Sequence, residues 1–343
     1  MSTPLLVVEN LKKHFPLSGG FFGASRFVYA VDGVSFAIDR GETLSLVGES
    51  GCGKSTVGRA ILRLFDITAG QVMLEGRRID NLSPGELNPL RRRIQVVFQD
   101  PFSSLNPRMR VRDILAEPIR NFGLARSATA LNARLDDLMG KVGLPRDALR
   151  RWPHEFSGGQ RQRIGIARAL AAEPDLMICD EVVSALDVSV KAQIINLLQD
   201  LQRELGLAML FISHDLAVVE HITHRIAVMY LGQIVEIAPR RGLFTAASHP
   251  YTEALLSAIP VPDPTVKRFR IILKGDVPSP VNPPKGCRFN TRCPYAFDRC
   301  RAEEPALRQV GDAHLAACHL HDGPAADNPM LRGKSPALMQ SGV

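Results

Sequence analysis

Residues 48–56, GESGCGKST, form a glycine-rich stretch whose residue types and spacing could bind the phosphates of a nucleotide. The stretch fits the pattern G-x-x-x-x-G-K-[ST], follows the apolar run TLSLV and leads into the helical pattern STVGRAILRLF. Glycine lets backbone N–H groups curl around phosphate oxygens, and the N-terminal end of the following helix adds positive potential. The residues of this predicted phosphate loop are Gly48, Glu49, Ser50, Gly51, Cys52, Gly53, Lys54, Ser55 and Thr56.

Polar side chains at two places supply the chemistry that such a loop requires. We expect Lys54 to reach the β- and γ-phosphates of ATP and the Ser55 hydroxyl to ligate Mg²⁺. The apolar run LMIC ends in Asp180 and Glu181, so a buried strand would deliver two carboxylates beside the loop. Asp180 is expected to hold the magnesium shell, and Glu181 to act as the general base that polarises the attacking water.

The elements that must position these residues alternate between strand and helix. Period-two and buried apolar patterns predict strands in LLVVENLKKHF, VYAVDGVSFAIDRGETLSLVGES, LMICD and AMLFIS. Helical spacing runs from Arg110 to about Arg150, from about Gln160 to Ala171 and through KAQIINLLQDLQREL. This alternation predicts an α/β fold with a mixed or largely parallel sheet. From about Pro239 prolines multiply, which is typical of an irregular segment covering the main body.

The composition is that of a globular protein large enough for a main domain and an appendage. The chain has 343 residues, of which 45% are hydrophobic and 22% charged, and its formal net charge is +7. Its basic residues are scattered apart from short clusters such as Arg91–Arg93, so the charge gives little support for nucleic-acid binding. The start MSTPLLVVEN does not resemble a secretory signal, and no apolar run approaches the roughly 20 residues that span a bilayer. We therefore expect a cytoplasmic protein.

The segment EFSGGQRQRIGIARAL, residues 155–170, distinguishes among the families that have a phosphate loop. Four of its residues precede an amphipathic helix and form a second anion-binding helix terminus, namely Ser157, Gly158, Gly159 and Gln160. Here the sequence resembles the ATP-binding cassette (ABC) family of P-loop ATPases, whose signature has the form LSGGQ. The resemblance extends to Gln99 in VVFQDP (the Q-loop), Asp187 in SALD (the D-loop) and His214 in FISHD (the switch histidine).

The resemblance implies that two cassettes pair head to tail, so that each ATP lies between the phosphate loop of one and the signature of the other. A monomer should then hydrolyse ATP poorly. His214 would contact the γ-phosphate, and Gln99 would sense Mg²⁺ while relaying closure to a membrane subunit. An aromatic residue near the first strand would stack on adenine, with Phe15 at the matching point and Tyr29 as its alternative. The proline usual after the catalytic glutamate is Val182 here, a change expected to loosen a turn without removing a chemical group.

The segments between the motifs indicate a transporter subunit. DNA-repair relatives separate the phosphate loop and the signature by a long coiled coil, whereas roughly 100 residues without sustained heptads intervene here. Translation factors of the family carry two cassettes, and this chain has one. The stretches FSSLNPRM and HPYT resemble the ATPase subunits of dipeptide and oligopeptide importers. Nickel or glutathione import is the alternative within transport, and a soluble cassette ATPase acting on nucleic acid is the alternative outside it.

Such an importer implies a set of partners and a location. The partners would be a second cassette, either identical or homologous, two membrane permease subunits and an extracytoplasmic peptide-binding protein that acts through the permease. The ATPase would lie peripherally on the cytoplasmic face of the inner membrane, without nucleic acid. We expect an ABC ATPase domain at residues 4–260 with a helical signature subdomain inserted at about 100–165. A peptide-importer-type C-terminal appendage at 239–320 and a disordered tail at 321–343 would follow.

Cysteines near the carboxyl end raise the separate question of a metal. The four residues are Cys287, Cys293, Cys300 and Cys318. A cytoplasmic address argues against disulfides, and the spacing is wider than the C-x₂₋₄-C pairs of structural zinc sites, which favours a [4Fe–4S] cluster. Importer ATPases that this chain resembles carry such a cysteine set.

Neighbouring residues agree with a cluster without requiring it. Basic side chains that could offset its negative charge are Arg288, Arg292, Arg299 and Arg301. Zinc and four unligated thiols stay open as alternatives, and His319 is a further candidate ligand. Cys52 is interpreted as a small loop residue and Cys179 as buried packing.

Overall fold

Strands and helices alternate along most of the chain. The computed structural model describes residues 3–17, 26–100, 104–260 and 270–323. Its strands are β1 Leu6–Leu17, β2 Arg26–Ile38, β3 Thr43–Val47, β4 Ala69–Leu74, β5 Arg77–Arg78, β6 Ile94–Val97, β7 Leu176–Asp180, β8 Ala208–Ser213, β9 Arg225–Tyr230, β10 Gln233–Pro239, β11 Arg308–Gly311 and β12 His314–Ala316. Its α-helices span Lys54–Ile61, Pro84–Arg93, Val111–Asn121, Ala128–Lys141, Gly158–Leu170, Val188–Leu205, Leu216–Ile222, Arg240–Ala246, Pro250–Ser257 and Asp298–Ala302.

The larger of two sheets carries the predicted parallel core. Its strand order is β11-β12-β10-β9-β3-β8-β7-β6. The strands from β9 to β6 in this order are parallel, whereas β10, β12 and β11 extend the β9 edge as antiparallel strands. The predicted α/β fold with a mixed sheet is therefore confirmed. Because parallel strands end at the same edge, the residues that follow β3, β6, β7 and β8 gather there.

Alternating side chains of the parallel strands fill a core on each face of this sheet. In β7, Met177 and Cys179 belong to one core, while Leu176 and Ile178 belong to the other. Strands buried on both faces explain why the sequence runs are apolar without interruption. The first core continues into the helices between residues 111 and 170, and the second continues into the smaller antiparallel sheet β2-β1-β4-β5.

The C-terminal segment contains more regular secondary structure than its proline content led us to predict. Helices Arg240–Ala246, Pro250–Ser257 and Asp298–Ala302 occur within it, and β12 pairs with β10 through the opposed residues Glu236 and Ala316. The edge of a sheet offers backbone partners that local sequence does not reveal, so tertiary pairing overrides the irregular pattern.

Some sequence predictions fall outside what the structure describes. These include residues 101–103, of which the last two begin the stretch FSSLNPRM, and residues 324–343 of the predicted tail. Across the described ranges, no helix combines the length and the apolar character needed to cross a membrane.

Candidate active site

The phosphate loop lies between β3 and the helix Lys54–Ile61, where two of its glycines are required by close backbone contacts. Gly48 and Gly53 have φ angles of 151° and 107°. A Cβ atom at Gly48 would lie 2.1 Å from the Met229 carbonyl oxygen, and one at Gly53 would lie 2.0 Å from that of Ala30. Any other residue at either position would force the loop away from β2 and β9.

The helix that follows the loop begins without a side-chain cap. Its N-cap is Gly53, so no side chain accepts a hydrogen bond from the first-turn N–H groups there. The Lys54 ammonium is buried inside the loop and donates to the carbonyl oxygens of Gly48 at 2.8 Å and Glu49 at 2.9 Å. Cys52 is also buried, and burial raises the pKa of its thiol, as suits a small packing residue. The loop therefore presents N–H donors and one fixed positive charge to an anion.

Asp180, the last residue of β7, contacts the loop directly. The Ser55 hydroxyl donates to Oδ1 of Asp180 at 2.7 Å. Burial raises the pKa of Asp180, although the Ser55 hydrogen bond and the positive charge of Arg59 oppose the shift. A buried carboxylate with a raised pKa lacks full compensation of its charge, so a hydroxyl and a carboxylate at this distance fit a shared divalent cation.

Glu181 lies where three strands end. Its backbone has a φ of 50°, and its N–H donates to the Ile212 carbonyl oxygen of β8 at 3.0 Å. One carboxylate oxygen accepts a hydrogen bond from Nε2 of Gln99 at 3.0 Å, and the other lies 3.4 Å from Nδ1 of His214. Gln99 follows β6 by two residues, and His214 directly follows β8. The structure therefore brings together three of the predicted residues that lie far apart in the sequence.

Val182, the departure from the family pattern, is anchored in a core. Its side chain is 1% exposed, and Val183 beside it is equally buried. Core packing at both residues fixes the chain just after Glu181. The carboxylate keeps its contact with Gln99, so the substitution removes no group from this cluster.

The signature residues lie on a separate exposed surface. Ser157 caps the helix Gly158–Leu170 by accepting from the Gln160 N–H at 3.3 Å, and the Gln160 side chain accepts from the Ser157 N–H at 3.1 Å. A Cβ at Gly159 would lie 2.4 Å from Cγ1 of Val190, so the signature packs on the helix that begins after Asp187. Asp187 is exposed. Within one chain these residues bond to one another rather than to the phosphate loop.

The two aromatic candidates for the adenine site face opposite sides of the β1–β2 pair. Phe15 stacks edge-on against Phe65, with ring centroids 5.5 Å apart. Tyr29 packs against His14 at 4.6 Å and is the strand partner of that histidine. Since neighbouring residues of a strand alternate between faces, only one of them can lie on the side of a given ligand.

Contacts from the C-terminal region to the phosphate loop were missed by the sequence analysis. The Arg292 guanidinium forms two hydrogen bonds with the Glu49 carboxylate, at 2.7 and 3.2 Å. The Tyr251 hydroxyl accepts a hydrogen bond from the Glu49 N–H at 2.8 Å. Tyr251 belongs to HPYT, a motif that we used only as a sign of resemblance, and 243 residues separate Glu49 from Arg292. No local pattern reveals pairing at that distance.

The iron–sulfur prediction for Cys287, Cys293, Cys300 and Cys318 is wrong. All four are free cysteines, and no group of three or more His, Cys, Asp or Glu side chains in the described residues could hold a metal ion. Burial raises the pKa of the thiols of Cys287 and Cys293 to about 11 and that of Cys318 to about 12, with a smaller contribution from repulsion among the cysteines. Burial therefore favours the neutral form of these three thiols in the metal-free protein.

The basic residues assigned to the cluster have other partners. Arg288 pairs with Asp32, Arg292 with Glu49, Arg299 with Glu303 and Asp322, and Arg301 with Asp298. Both ring nitrogens of His319 are also engaged, one with Asp322 at 2.9 Å and the other with the Glu303 carbonyl oxygen at 3.0 Å. The positive charge of this segment therefore compensates carboxylates.

A phosphate loop at the carboxyl edge of a parallel sheet, with two carboxylates delivered at the same edge by strand β7, defines a nucleotide-hydrolysing P-loop protein. A sequence profile described as "ABC transporter" matches residues 31–184, and one described as "Oligopeptide/dipeptide transporter, C-terminal region" matches residues 235–300. A probable peptide ABC transporter ATP-binding protein of Sinorhizobium fredii is 57% identical, over 95% of this chain and 92% of its own length. The chain belongs to the ATP-binding cassette family of ATPases.

Further relatives agree with this assignment. The oligopeptide transport ATP-binding protein AppF of Bacillus subtilis is 51% identical, over 92% of this chain and 97% of its own length. Among solved structures, an ATP-binding cassette determined as a dimer bound to ADP and Pi in a post-hydrolysis state is 29% identical, with a TM-score of 0.62. That likeness covers 69% of this chain and 99% of the solved one.

Proposed function

We propose that this chain binds and hydrolyses ATP to energise a membrane importer of dipeptides or oligopeptides. The ATPase activity is that of the family to which the chain belongs. The peptide cargo is supported by the C-terminal profile match and by the printed names of relatives that are 51–57% identical.

The observation that carries the hydrolytic assignment is the placement of Glu181. Its carboxylate is held between Gln99 and His214, at the edge of the sheet where the phosphate loop also lies. In this arrangement Glu181 accepts the proton of the attacking water, and the Gln99 amide orients the carboxylate. His214, whose side chain is 51% exposed, is free to turn toward a γ-phosphate.

The phosphate loop and its neighbours would bind the phosphate groups of the nucleotide and their magnesium ion. The first-turn N–H groups and the Lys54 ammonium surround the β- and γ-phosphates. Ser55, Asp180 and Gln99 are the residues that would hold Mg²⁺, and the contact of Ser55 with Asp180 supports this set. The ion supplies charge neutralisation at the transferred phosphoryl group.

Residues outside the loop would act through a second cassette. The partly exposed signature, Ser157–Gln160, and the exposed Asp187 supply a surface against which the loop of a partner cassette can close. The N-terminal end of the loop helix Lys54–Ile61 and that of the partner's signature helix would then flank the same triphosphate from both sides. Phe15 is proposed to stack on the adenine, since it lies on the face of β1 that meets Phe65, just beyond the loop helix.

The importer would also include membrane partners. Two permease subunits would receive the motion of the cassette dimer, and an extracytoplasmic peptide-binding protein would deliver cargo to them. The chain would associate peripherally with the cytoplasmic face of the membrane through the helical segment that follows Gln99.

A reconstituted complex tests the proposal. The tagged chain is co-expressed with two candidate permease subunits from the same organism, purified in detergent and placed in proteoliposomes with a candidate peptide-binding protein. ATP hydrolysis is measured with dipeptides, longer peptides, glutathione or Ni²⁺ as cargo. We expect peptides to stimulate hydrolysis several-fold and glutathione and Ni²⁺ to have no effect. Stimulation by glutathione, Ni²⁺ or nucleic acid instead would replace the peptide assignment.

A further inference from the structure

The phosphate loop is held from outside by the C-terminal region, and Glu49 is the point of attachment. Arg292 binds both oxygens of its carboxylate, a two-point geometry that fixes orientation as well as distance. The Arg292 side chain is 9% exposed and that of Glu49 28%, so solvent screens this pair less than a surface pair.

Aromatic packing fixes the base of this contact. Phe289 and Tyr251 are fully buried, and both rings contact Tyr230 with centroids 5.2 and 4.7 Å away. The N–H of Arg292 donates to the Phe289 carbonyl oxygen at 3.0 Å, which places the guanidinium over Tyr230 at 6.0 Å from the ring centroid. The hydroxyl of Tyr251 also accepts a hydrogen bond from the Glu49 N–H, so both the backbone and the side chain of Glu49 are fixed by the C-terminal region.

A second arginine, Arg288, supports the loop indirectly. Arg288 is buried and donates to the Leu231 carbonyl oxygen at 2.6 Å, while its other nitrogen pairs with Asp32. The next residue, Gly232, donates its N–H to the Cys52 carbonyl oxygen at 2.9 Å. The same short segment therefore contacts the loop directly at Glu49 and supports it indirectly at Cys52, through Leu231 and Gly232.

The charge of Glu49 gives the direct contact a consequence for nucleotide binding. A carboxylate inside a loop that surrounds phosphate oxygens repels them and opposes the attraction that Lys54 exerts on the nucleotide. Arg292 neutralises that carboxylate without occupying the loop's N–H groups. We propose that Arg292 and Tyr251 are positioning residues of the nucleotide site, and that Arg292 in particular cancels the charge of Glu49 so that the loop accepts triphosphate. This inference rests on the proposed binding of ATP at residues 48–56.

Binding measurements on the full chain can isolate this charge effect. Affinities for MgADP and for a non-hydrolysable MgATP analogue are measured for the wild type, Arg292→Met and the double variant Glu49→Gln/Arg292→Met. We expect Arg292→Met to weaken binding of the analogue by about tenfold and of MgADP by less, because the repulsion grows with phosphate charge. The double variant should regain most of the loss, since the repelling carboxylate is gone. Arg292→Lys should fall between the wild type and Arg292→Met, because it keeps the charge but not the two-point geometry.

A matched control comes from the same segment. Arg301 pairs with Asp298, and its side chain is 60% exposed, so Arg301→Met removes one positive charge without touching the loop and should leave both affinities unchanged. Equal affinities of wild type and Arg292→Met, or a double variant as weak as Arg292→Met, would overturn the inference while leaving ATP binding intact. A wild-type chain that binds neither nucleotide would overturn the proposed function and the inference together. Should Arg292→Met not fold, Arg292→Gln and Arg292→Lys allow the same comparison.

Discussion

Two regions of this molecule concentrate reactive residue types, the phosphate loop at residues 48–56 and the cysteine-containing segment at residues 287–318. In the first, the Ser55 hydroxyl contacts the Asp180 carboxylate, the Lys54 ammonium binds a carbonyl oxygen of the loop, and Glu181 contacts Gln99. In the second, the four cysteines are free, and the arginines between them make the long-range contacts. The two regions touch through Arg292 and Glu49, so the segment acts on the site through its charged residues.

The difference shows why similar density of reactive residues leads to different outcomes. The loop residues and their partners follow separate parallel strands, and the geometry of the sheet forces the ends of those strands together. The cysteines follow no such scaffold. Burial raises the pKa of the thiols of Cys287, Cys293 and Cys318, which favours the neutral form and leaves them as weakly polar packing groups.

The largest effect is expected at the centre of the first region. Glu181→Gln keeps the size of the side chain and removes its basicity, so hydrolysis by the assembled transporter should fall by about 100-fold or more. Affinity for MgATP should stay within about threefold of the wild type, because the glutamine contributes no charge to phosphate binding. Phosphate release and equilibrium nucleotide binding, measured on the same preparation, separate the two quantities.

Glu204, an exposed residue of the helix Val188–Leu205, provides the control. Glu204→Gln makes the same chemical change away from the site and should leave hydrolysis unaltered. Substantial hydrolysis by Glu181→Gln would remove Glu181 from the role of general base, and the placement of His214 and Gln99 around it would need another purpose.

The residues at the catalytic edge of the sheet could be predicted from the sequence because each motif lies beside a recognisable strand or helix pattern. Asp180 and Glu181 end an apolar run, and such a run is a buried strand whose end must lie beside the loop of a parallel sheet. The strands β7 and β8 were predicted at their observed positions for the same reason. The helical pattern before the signature likewise corresponds to helices Val111–Asn121 and Ala128–Lys141.

Sequence was insufficient where partners are distant and unpatterned. The pairing of Glu49 with Arg292 depends on how the C-terminal region folds back, and an arginine beside cysteines gives no indication of its carboxylate. The same arginine suggested charge compensation for a cluster, which was the wrong partner. Strand β12 was also missed, since its three residues gain their structure from the edge of β10.

Substitution of Asp180 is expected to have a smaller effect, which raises the stability of the nucleotide-free protein and lowers its affinity for ATP. Burial raises the pKa of this carboxyl group, so in the nucleotide-free protein the neutral acid stabilises the fold at low pH, and that stabilisation is lost as the pH rises through the folded-state pKa. Asp180→Asn should therefore raise the Tm of the nucleotide-free protein at pH 7 by about 1–2 °C. The same variant should weaken Mg²⁺-dependent ATP binding, because it removes an anionic ligand.

Thermal unfolding at several pH values checks the sign. The difference in Tm between Asp180→Asn and wild type should shrink as the pH is lowered, since the wild-type carboxyl group then becomes neutral as well. A variant that is less stable than wild type at pH 7 without nucleotide would show that the ionised carboxylate is well compensated by Ser55 and Arg59.

The smallest effect on nucleotide chemistry is expected in the second region. Cys293→Ala removes a partly buried thiol beside Arg292 but leaves the guanidinium and its contact with Glu49, so ATP affinity and hydrolysis should stay within about twofold of wild type. Lost packing should lower the Tm by about 1–3 °C. Treatment of the nucleotide-free wild type with a chelator should leave its Tm unchanged, because the described residues contain no group of side chains that could hold a metal ion. Arg292→Met, one residue away, should instead lower nucleotide affinity, and by more than Cys293→Ala does. If Cys293→Ala weakens ATP binding as much as Arg292→Met, the thiol itself must support the loop, and the separation drawn between the two regions would be lost.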